Sequence, residues 1–378
     1  MKPIYLDYNA TTPIDHEVAE VMKPYLEEFF GNPSSSHWYG IRAKKAIEIA
    51  RSQVADLLGC QPDEIIFTSG GSESNNYAIK GVAFANRIKG NHIITSAIEH
   101  PAVTEVCKYL ETKEFRVTYL PVDEYGLVDI VKFQETITPQ TILISLMHAN
   151  NEVGTIQPIP NISELARQNG VIIHTDAAQS VGKIPTRVNE LGIDLLSVAG
   201  HKLYAPKGIG ALFIRKGTNL EKLIHGAGHE RNKRAGTENV LGIVGLGKAC
   251  EIAKRDLKKN MAHMESMRDS LYLGLQELLG EIRLNGHREK CLPNTLSVGF
   301  PNIEADKLLL KIKGVAASAG AACHSEHASI SHVLTAMNVP EKYAIGTIRF
   351  STGKMTTSVE IDRAIEIIAE GIQTLNLK

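Results

Sequence analysis

The chain has 378 residues with 41 Lys+Arg and 42 Asp+Glu, which gives a net charge of -1. A hydrophobic fraction of 43% and a charged fraction of 22% are typical of a soluble globular protein, and the length predicts two or three domains. No polybasic run is present, which argues against nucleic acid or an anionic membrane as the main partner. The absence of a signal-peptide core and the five sparse cysteines predict a cytoplasmic protein without a disulfide framework.

Strand-like and helical patterns alternate through the first two thirds of the chain. Asp15 is a candidate cap for an amphipathic helix from His16 to Phe30, and a second helical pattern covers Ile41 to Leu58. The predicted strands that follow are Glu64–Thr68, His92–Thr95, Val117–Leu120, Thr141–Met147, Gly170–His174, Leu195–Val198 and Gly210–Ile214. Helical patterns lie between them near Asn75–Arg87, His100–Thr112, Val128–Thr136 and Asn161–Asn169. This alternation predicts an α/β fold with a mainly parallel sheet covered on both faces.

The pattern changes after Gly236. Two long helical patterns, Val240–Leu257 and Met261–Leu279, are separated by Lys-Lys-Asn, and short strands follow at Thr295–Phe300, Val315–Ser318 and Thr347–Ser351. A last helix from about Ser358 to Leu375 begins at a capping box whose first residue is Thr357. These patterns predict a large α/β domain over residues 16–258, and a smaller α+β domain formed by residues 259–378 with the N-terminal segment 1–15.

Lys202 follows a short buried strand within the segment Ile193–Gly210, IDLLSVAGHKLYAPKGIG. A lysine at the rim of a parallel sheet lies where open α/β folds bind ligands. Partial desolvation and nearby cations lower the pKa of a lysine, and a neutral amine can form a Schiff base with a carbonyl. The alternative for a single lysine is a solvated side chain in a Gly/Pro turn, so the assignment depends on what else converges here.

Four other loops at the carboxyl ends of predicted strands carry polar groups. Gly71 and Ser72 lead into a helix, where backbone N–H groups can bind a phosphate, although Gly-Gly-Ser is also an ordinary turn. His100 could stack on a planar ring and transfer protons, or simply begin a helix. Asn151 could hydrogen-bond a ring oxygen or belong to a plain turn. Asp176, at the end of a buried strand, needs a positive partner or acts as a helix cap.

Together these groups predict one cofactor. A lysine for an aldehyde, an aspartate for a ring nitrogen, a histidine for a ring face and a Gly/Ser loop for a phosphate match the requirements of pyridoxal 5'-phosphate. The convergence is more specific than any single group.

The smaller domain contributes two further candidates. Cys323 lies among Ala, Ser and Gly, a setting that predicts an exposed and reactive thiol. Arg349 ends a predicted strand and could bind a carboxylate with two hydrogen bonds, or could be a surface arginine. His324, His327 and His332 raise the possibility of a metal site, but no second cysteine or acidic cluster completes a ligand set, so we predict none.

Over nearly its whole length the chain resembles the cysteine desulfurases, pyridoxal-phosphate enzymes of the aminotransferase class V-like fold. The matching segments are YLDYNATTP (5–13), GNPSSSH (31–37), FTSGGSESNN (67–76), EHPAV (99–103), HANNEVG (148–154), HTDAAQ (174–179), GHKLYAPKGIG (200–210), HGAGHERNKRAGTEN (225–239), LPNT (292–295) and the Cys323 loop. The resemblance implies a fold-type-I transferase with a large mainly parallel-sheet domain and a small α+β domain. It also implies conversion of L-cysteine to L-alanine, with sulfur passed to an enzyme cysteine and then to an acceptor such as an iron–sulfur scaffold.

The resemblance also implies a role for each matching residue. Lys202 would bind the cofactor aldehyde, Asp176 the ring nitrogen, and His100 would be the stacked acid/base; Cys323 would receive the sulfur. The remaining implied contacts are Gly71, Ser72 and His201 at the phosphate, Gln179 and Asn151 at the ring hydroxyl or substrate, and Asn32 and Arg349 at the substrate carboxylate. Thr237 would reach the phosphate of a neighbouring subunit, which implies a homodimer.

Two positions depart from the usual desulfurase pattern. Many members have Ser three residues before the lysine, whereas this chain has Ala199, and Ser197 lies too far back along the strand to replace that hydroxyl automatically. The segment AGAACHS (319–325) is closer to the selenocysteine lyases, so L-selenocysteine is the alternative substrate. Another enzyme of the same fold, such as an aminotransferase or a decarboxylase, is a further alternative. Such an enzyme has no need of the loop cysteine, so Cys323 argues against it. A non-catalytic partner protein is the alternative of a different class, and its failure to bind pyridoxal phosphate would distinguish it.

Overall fold

The computed structural model describes residues 3–322 and 329–376. The strands are β1 Ile4–Tyr5, β2 Ile65–Thr68, β3 His92–Ser96, β4 Arg116–Leu120, β5 Thr141–Met147, β6 Ile172–Asp176, β7 Leu195–Ala199, β8 Gly210–Ile214, β9 Arg283–Asn285, β10 Thr295–Gly299, β11 Val315–Ala316, β12 Ser318–Ala319, β13 Ala321–Ala322, β14 Ser329–Ile330 and β15 Thr347–Ser351. The helices are α1 His16–Met22, α2 Pro24–Glu27, α3 Trp38–Leu58, α4 Gly71–Asn86, α5 Pro101–Glu111, α6 Ile130–Thr136, α7 Ile159–Gln168, α8 Val188–Leu191, α9 His229–Asn232, α10 Val240–Leu279, α11 Ala305–Lys311, α12 His332–Ala336, α13 Glu341–Ala344 and α14 Ser358–Asn376.

A seven-stranded sheet in the order β2-β8-β7-β6-β5-β3-β4 forms the centre of the larger part of the molecule. Its strands run parallel except β8, which is antiparallel to both β2 and β7. All seven strands predicted from the sequence are present within two residues of their predicted starts and ends. Apolar side chains of α4 and α5 pack on one face, and those of α3, α7 and α10 pack on the other. The prediction of an α/β fold with a mainly parallel, doubly covered sheet is therefore confirmed.

The sheet places the carboxyl ends of four neighbouring strands at one edge. Strands β3, β5, β6 and β7 run parallel, and each of their residues is buried apart from Ile172 at the start of β6. A buried three-residue network links the central strands: the His174 ring contacts Ser145 Oγ through Nδ1 at 2.9 Å and Ser197 Oγ through Nε2 at 3.0 Å. Residues that immediately follow these strands consequently lie close together in space.

Two predicted helix boundaries were wrong. The break predicted at Lys-Lys-Asn is absent, because Lys258, Lys259 and Asn260 lie within a continuous 40-residue helix, α10. None of the three is Gly or Pro, and lysine has a good helix propensity, so polar residues alone did not end the helix. The helix predicted over His16–Phe30 is instead interrupted at Pro24, whose ring lacks the N–H needed to continue it. No helix in the described ranges is long and apolar enough to cross a membrane.

A four-stranded antiparallel sheet, β12-β15-β10-β9, forms the centre of the smaller part. The N-terminal segment joins this part, since β1 pairs in parallel with β11 and Asp7 bridges to Ser351. The predicted capping box of α14 is present, because the Thr357 and Glu360 side chains each accept a hydrogen bond from the other's backbone N–H. The first part of α10 packs in the core of the large sheet, and Leu271 and Leu275 pack in the core of the small one, so the proposed boundary at 258/259 falls inside this helix.

Candidate active site

A cavity of about 290 Å³ lies at the carboxyl edge of the large sheet. Nine residues nominated from the sequence line it: Gly71, Ser72, His100, Asn151, Asp176, Gln179, His201, Lys202 and Arg349. They come from separate segments of the chain, which the parallel strands bring together. The structure thus assembles most of the nominated residues around one enclosed space.

Lys202 reaches the cavity from a 3₁₀ turn, Gly200–Lys202, directly after β7. The turn is tight at Gly200, where a Cβ atom would lie 2.8 Å from the carbonyl oxygen of Ile209, so a larger residue would push the backbone apart. The Lys202 Nζ atom donates a hydrogen bond of 2.7 Å to the carbonyl of Ala10. Burial, together with the positive charge of Arg349, lowers the pKa of Lys202 to about 8, against the opposing charges of Asp7 and Asp176. The site therefore favours the neutral amine of Lys202 more than water does.

Asp176 is the last residue of β6 and is 7% exposed. Its Oδ2 accepts a hydrogen bond of 2.6 Å from Asn75 Nδ2, and its Oδ1 accepts one of 2.9 Å from the backbone N–H of Ala178. The Oδ1 atom of Asn75 is buried and has no protein partner in the described part of the chain. The pair thus presents a carboxylate and an unpartnered amide oxygen beside the cavity, an arrangement suited to an N–H donor from a bound molecule.

His100 caps helix α5 and lines the cavity. Its Nδ1 accepts a hydrogen bond of 3.1 Å from the backbone N–H of Ala102, which places the proton of the neutral ring on Nε2. Desolvation by the surrounding protein lowers the pKa of His100, Asp176 raises it, and the charges of Lys202 and His332 lower it further. The neutral ring can accept a proton at one nitrogen or release one from the other.

The start of α4 offers backbone N–H groups to the cavity. Gly70 precedes the helix with φ of 149°, a conformation that favours glycine, and Gly71 and Ser72 line the cavity. Ala199 faces this turn, and a Cβ atom on Gly71 would lie 3.2 Å from the Ala199 Cβ. Ser197 does not replace the hydroxyl that Ala199 lacks, because its Oγ contacts the His174 ring. Ser197 also does not line the cavity, in keeping with the expectation that it does not take the place of the missing hydroxyl.

Asn9 was not assigned a role from the sequence, although it lies in the quoted segment YLDYNATTP. It is 1% exposed, and its carbonyl accepts hydrogen bonds from Lys202 Nζ at 2.5 Å and from Gln179 Nε2 at 3.0 Å. Its side-chain nitrogen donates to the carbonyl of Asn151 at 3.2 Å. In the sequence Asn9 is a single amide residue in a turn-rich N-terminal segment, a pattern too common to indicate this contact. Asn75, in FTSGGSESNN, was missed for the same reason.

Arg349 contacts the cavity from β15 of the smaller part. Its Nη2 donates to Asp7 Oδ1 at 2.8 Å and Ser318 Oγ at 3.1 Å, and its Nη1 donates to the carbonyl of Asn151 at 3.0 Å. Its Nε is buried without a partner among the described residues. The guanidinium is therefore held in place by the protein and retains one free donor.

Two nominated residues of the described chain, Asn32 and Thr237, do not line this cavity. Asn32 is exposed, and its Oδ1 accepts a hydrogen bond of 2.9 Å from the backbone N–H of Ser34. Thr237 is also exposed, in the segment between α9 and α10. Cys323 lies outside the described residues, as do His324 and His327. His332, which the metal hypothesis included, contacts the carbonyl of Glu99 through Nε2 at 3.0 Å.

The residues of the cavity fit pyridoxal 5'-phosphate. A helix N-terminus with Ser72 and His201 suits a phosphate, Asp176 suits a protonated ring nitrogen, and Lys202 suits an aldehyde. The unpartnered Asn75 Oδ1 and Arg349 Nε show that the protein alone leaves hydrogen-bonding capacity in this cavity unused. A polar, phosphorylated cofactor and an amino-acid substrate need such matching groups and such free hydrogen-bonding atoms.

Comparisons with known proteins agree with this arrangement. The family model described as Aminotransferase class-V matches residues 4–364. The cysteine desulfurase IscS of Dictyoglomus turgidum is 50% identical over 376 residues, covering 99% of this chain and 95% of the relative. The cysteine desulfurase IscS of Methanosarcina thermophila is 51% identical over 376 residues, covering 99% and 93%.

Solved structures give the same result. The structure of a NifS-like protein superposes with a TM-score of 0.93 at 41% identity, covering 98% of this chain and all (100%) of the other. The structure of SspA in complex with cysteine superposes with a TM-score of 0.81 at 39% identity, covering 94% and 100%. This chain therefore belongs to the class-V aminotransferase family, and within it to the pyridoxal-phosphate-dependent cysteine desulfurases.

Proposed function

We propose that the cavity converts L-cysteine to L-alanine and that the Cys323 thiol receives the sulfur. The observation that carries the proposal is the lysine with a pKa lowered to about 8 in the same cavity as the buried carboxylate of Asp176. A neutral amine can act as a base at an amino-acid carbon, and a buried carboxylate can hold a ring nitrogen in its protonated state. The related protein SspA was solved in complex with cysteine, which supports L-cysteine as the substrate here.

Pyridoxal phosphate, when bound, supplies an electron sink that weakens the bonds at the substrate α-carbon. The chain supplies the rest. Asp176 would pair with the ring nitrogen; Ser72, His201 and the backbone at Gly71 would hold the phosphate. Gln179 and Asn151 would contact the ring hydroxyl or the substrate. Each of these residues lines the cavity.

Proton transfer is assigned to Lys202 and His100. The Lys202 amine would take the proton from the substrate α-carbon, because burial favours its neutral form. The His100 ring, also kept neutral by desolvation, would exchange a proton with the substrate or with Cys323. Arg349, with its unpartnered Nε, would bind the substrate carboxylate, and the exposed Asn32 would join it when substrate is present.

Sulfur transfer is assigned to Cys323. Its thiolate would form a sulfur–sulfur bond with the substrate as the substrate carbon–sulfur bond breaks. The electron pair stays on the carbon skeleton, which takes up a proton and leaves as alanine. The persulfide would then pass its outer sulfur to an acceptor protein such as an iron–sulfur scaffold.

The assembly and compartment belong to the same proposal. We infer a homodimer in which Thr237 completes the phosphate contacts of the other subunit, since Thr237 is exposed and does not line its own cavity. The protein would work in the cytoplasm, in keeping with four cysteines of the described chain that are unpaired.

The decisive experiment compares the wild-type protein with Cys323→Ala and the control Cys291→Ala, a cysteine at a second, separate cavity. Alanine release is measured with L-cysteine and, in parallel, with L-selenocysteine. We expect Cys323→Ala to lose alanine release from cysteine and to carry no persulfide, whereas Cys291→Ala behaves as wild type. Undiminished persulfide formation in Cys323→Ala would refute the assignment. Turnover of selenocysteine alone, retained in Cys323→Ala, would identify a selenocysteine lyase, the alternative that AGAACHS favours.

A further inference from the structure

Lys183 is a buried lysine that the reaction described above does not use. It is 5% exposed and lies in the segment between β6 and α8. Its Nζ donates to Gln179 Oε1 at 2.8 Å and to Asn9 Oδ1 at 3.1 Å. Among the hydrogen bonds and ion pairs of residues 3–322 and 329–376, none joins this amine to a carboxylate. A buried cation without a counter-ion is costly, so the position calls for an explanation.

The number of partners fits an uncharged amine. A neutral amine has two N–H donors, and the structure provides two amide oxygens to receive them. Burial lowers the pKa of Lys183 well below its ordinary value, and the nearby charges of Lys202 and Arg349 lower it further. Lys183 therefore acts as a hydrogen-bond donor rather than as a charge.

The two hydrogen bonds from Lys183 help to orient two side-chain amides, those of Gln179 and Asn9. Because Gln179 Oε1 faces Lys183, its Nε2 faces the opposite way and donates to the carbonyl of Asn9 at 3.0 Å. Asn9 Oδ1 accepts from Lys183 and also from Asn294 Nδ2 at 2.9 Å, and Asn9 Nδ2 donates to Thr295 Oγ1 at 2.8 Å and to the carbonyl of Asn151 at 3.2 Å, so Lys183 is one of several groups that orient this amide. Without Lys183, Gln179 Oε1 would lose its donor, and the amide would be held in this orientation only from its Nε2 end, by the Asn9 carbonyl.

The Asn9 carbonyl is where this arrangement meets the cavity. It receives both Gln179 Nε2 and the Nζ of Lys202, whose second acceptor is the Ala10 carbonyl. A lysine that is released during turnover needs acceptors of this kind, because an amine without partners in a buried site would be destabilised. The carbonyls of Asn9 and Ala10 thus hold the free amine of Lys202 at the cavity.

We propose that Lys183 is a positioning residue for the desulfurase reaction: by donating to Gln179 Oε1 it keeps the Gln179 NH₂ group on the Asn9 carbonyl, the same carbonyl that receives the free Lys202 amine. The inference rests on the proposed function, because it assigns Gln179 to the cofactor or substrate and Lys202 to proton transfer. The inference goes beyond that function because no step of the proposed reaction uses Lys183.

The test is a double-mutant cycle with Lys183→Met, Gln179→Leu and the double variant. The control is Thr186→Val, a nearly isosteric change at a buried residue of the same segment whose hydroxyl has no partner in the described chain. Two quantities are measured: the dissociation constant of pyridoxal phosphate from the apoprotein, by absorbance titration, and kcat and KM for L-cysteine. The melting temperature of each apoprotein reports whether the variant is folded.

We expect each single variant to weaken cofactor binding by about tenfold and the double variant to be no weaker than either one, because Lys183 acts through Gln179. Thr186→Val should bind as wild type. Wild-type binding in Lys183→Met, or effects that multiply to about a hundredfold in the double variant, would overturn the proposal. If Lys183→Met does not fold, Lys183→Gln, which keeps an N–H donor, takes its place in the cycle and should bind closer to wild type than Gln179→Leu. A wild-type protein that binds the cofactor but releases no alanine would refute the function and leave this binding cycle intact.

Discussion

Two regions supply the nominated residues, and they differ in what holds them. Most of them line the wall of the cavity, for example at the carboxyl ends of β6 and β7, where Asp176 is 7% exposed and Lys202 follows a fully buried strand. The outlying loops carry Asn32 and Thr237, which are exposed and do not line the cavity. The packed sheet therefore fixes the wall within a single chain, whereas the outlying loops depend on a substrate or a second subunit for their role.

The largest test of this comparison is Lys202→Ala, in the wall. Loss of the amine removes both the proposed covalent partner of the cofactor aldehyde and the proposed base, so we expect alanine release to fall by at least about 10³-fold. The matched control is Lys207→Ala, an exposed lysine five positions along the same turn region. Rates are measured as alanine formed per subunit at saturating cysteine. Activity of Lys202→Ala within tenfold of Lys207→Ala would show that the wall is not the reaction centre.

A smaller effect is expected from Asp176→Asn, which keeps the shape of the wall and removes its charge. The substitution deprives a protonated ring nitrogen of its partner and sets an amide against the donor of Asn75, so we expect a loss of about 10²- to 10³-fold in kcat. Asp194→Asn, a part-buried carboxyl group bonded to the Ile173 N–H, is the control and should retain kcat. Equal rates for the two variants would contradict the assignment of Asp176.

The sequence predicted the wall well because its signals are local. Buried strands appear in the sequence as apolar runs. The parallel sheet places the residues that end or follow these runs at one edge, and this allowed Lys202, Asp176 and His100 to be nominated. The helix capping box at Thr357 is also local and was correct. The continuous α10 was not foreseen, because a polar Lys-Lys-Asn interruption looks like a linker whenever tertiary packing on both sides is unknown.

Contacts between distant segments could not be predicted. Asn9 meets Gln179, Lys183 and Lys202 across at least 170 residues of chain, and nothing near Asn9 in the sequence indicates these partners. The engagement of Arg349 by Asp7, 342 residues away, is of the same kind. Such contacts depend on how the two sheets meet, which periodicity within each segment does not encode.

Buried ionisable groups in β6 and directly after β3 and β5, which do not themselves line the cavity, should affect the pH dependence of stability. Burial raises the pKa of Glu99 to about 8 and lowers the pKa values of His148 and His174 to about 4 and about 3. Between about pH 5 and 6, near the unfolded values of about 4.3 for Glu and 6.5 for His, the folded Glu99 keeps a proton that the unfolded chain lacks, whereas the unfolded histidines bind protons that the folded ones lack. The histidines therefore make stability rise with pH, and Glu99 opposes them.

Glu99→Gln removes the opposing group while retaining hydrogen-bonding capacity for the Ser96 hydroxyl, which is 2.6 Å from Glu99 Oε1. The free energy of unfolding should then rise with pH about 1.4 kcal/mol per pH unit more steeply than in wild type across this window. Urea unfolding at several values between pH 5 and 6 measures the slope. Glu105→Gln, an exposed position on α5, is the control and should leave the slope unchanged. An unchanged slope in Glu99→Gln would mean that this carboxyl is already ionised in the fold.

The smallest expected effect is that of Thr237→Ala in the outlying loops, and it distinguishes a contact within one subunit from a contact between two. If Thr237 serves the neighbouring subunit, Thr237→Ala should weaken pyridoxal phosphate binding by about fivefold, the loss of one hydrogen bond of ~1 kcal/mol. A mixture of Thr237→Ala and Lys202→Ala chains, unfolded and refolded together, then contains dimers with one complete site, built from the Lys202 of one chain and the Thr237 of the other. At a cofactor concentration below the dissociation constant of Thr237→Ala, such dimers should exceed the summed activity of the separate variants. If the activity of the mixture equals the sum of the two separate variants, Thr237 does not serve the neighbouring subunit. The outlying loop would then not depend on a second subunit, which contradicts the comparison made above.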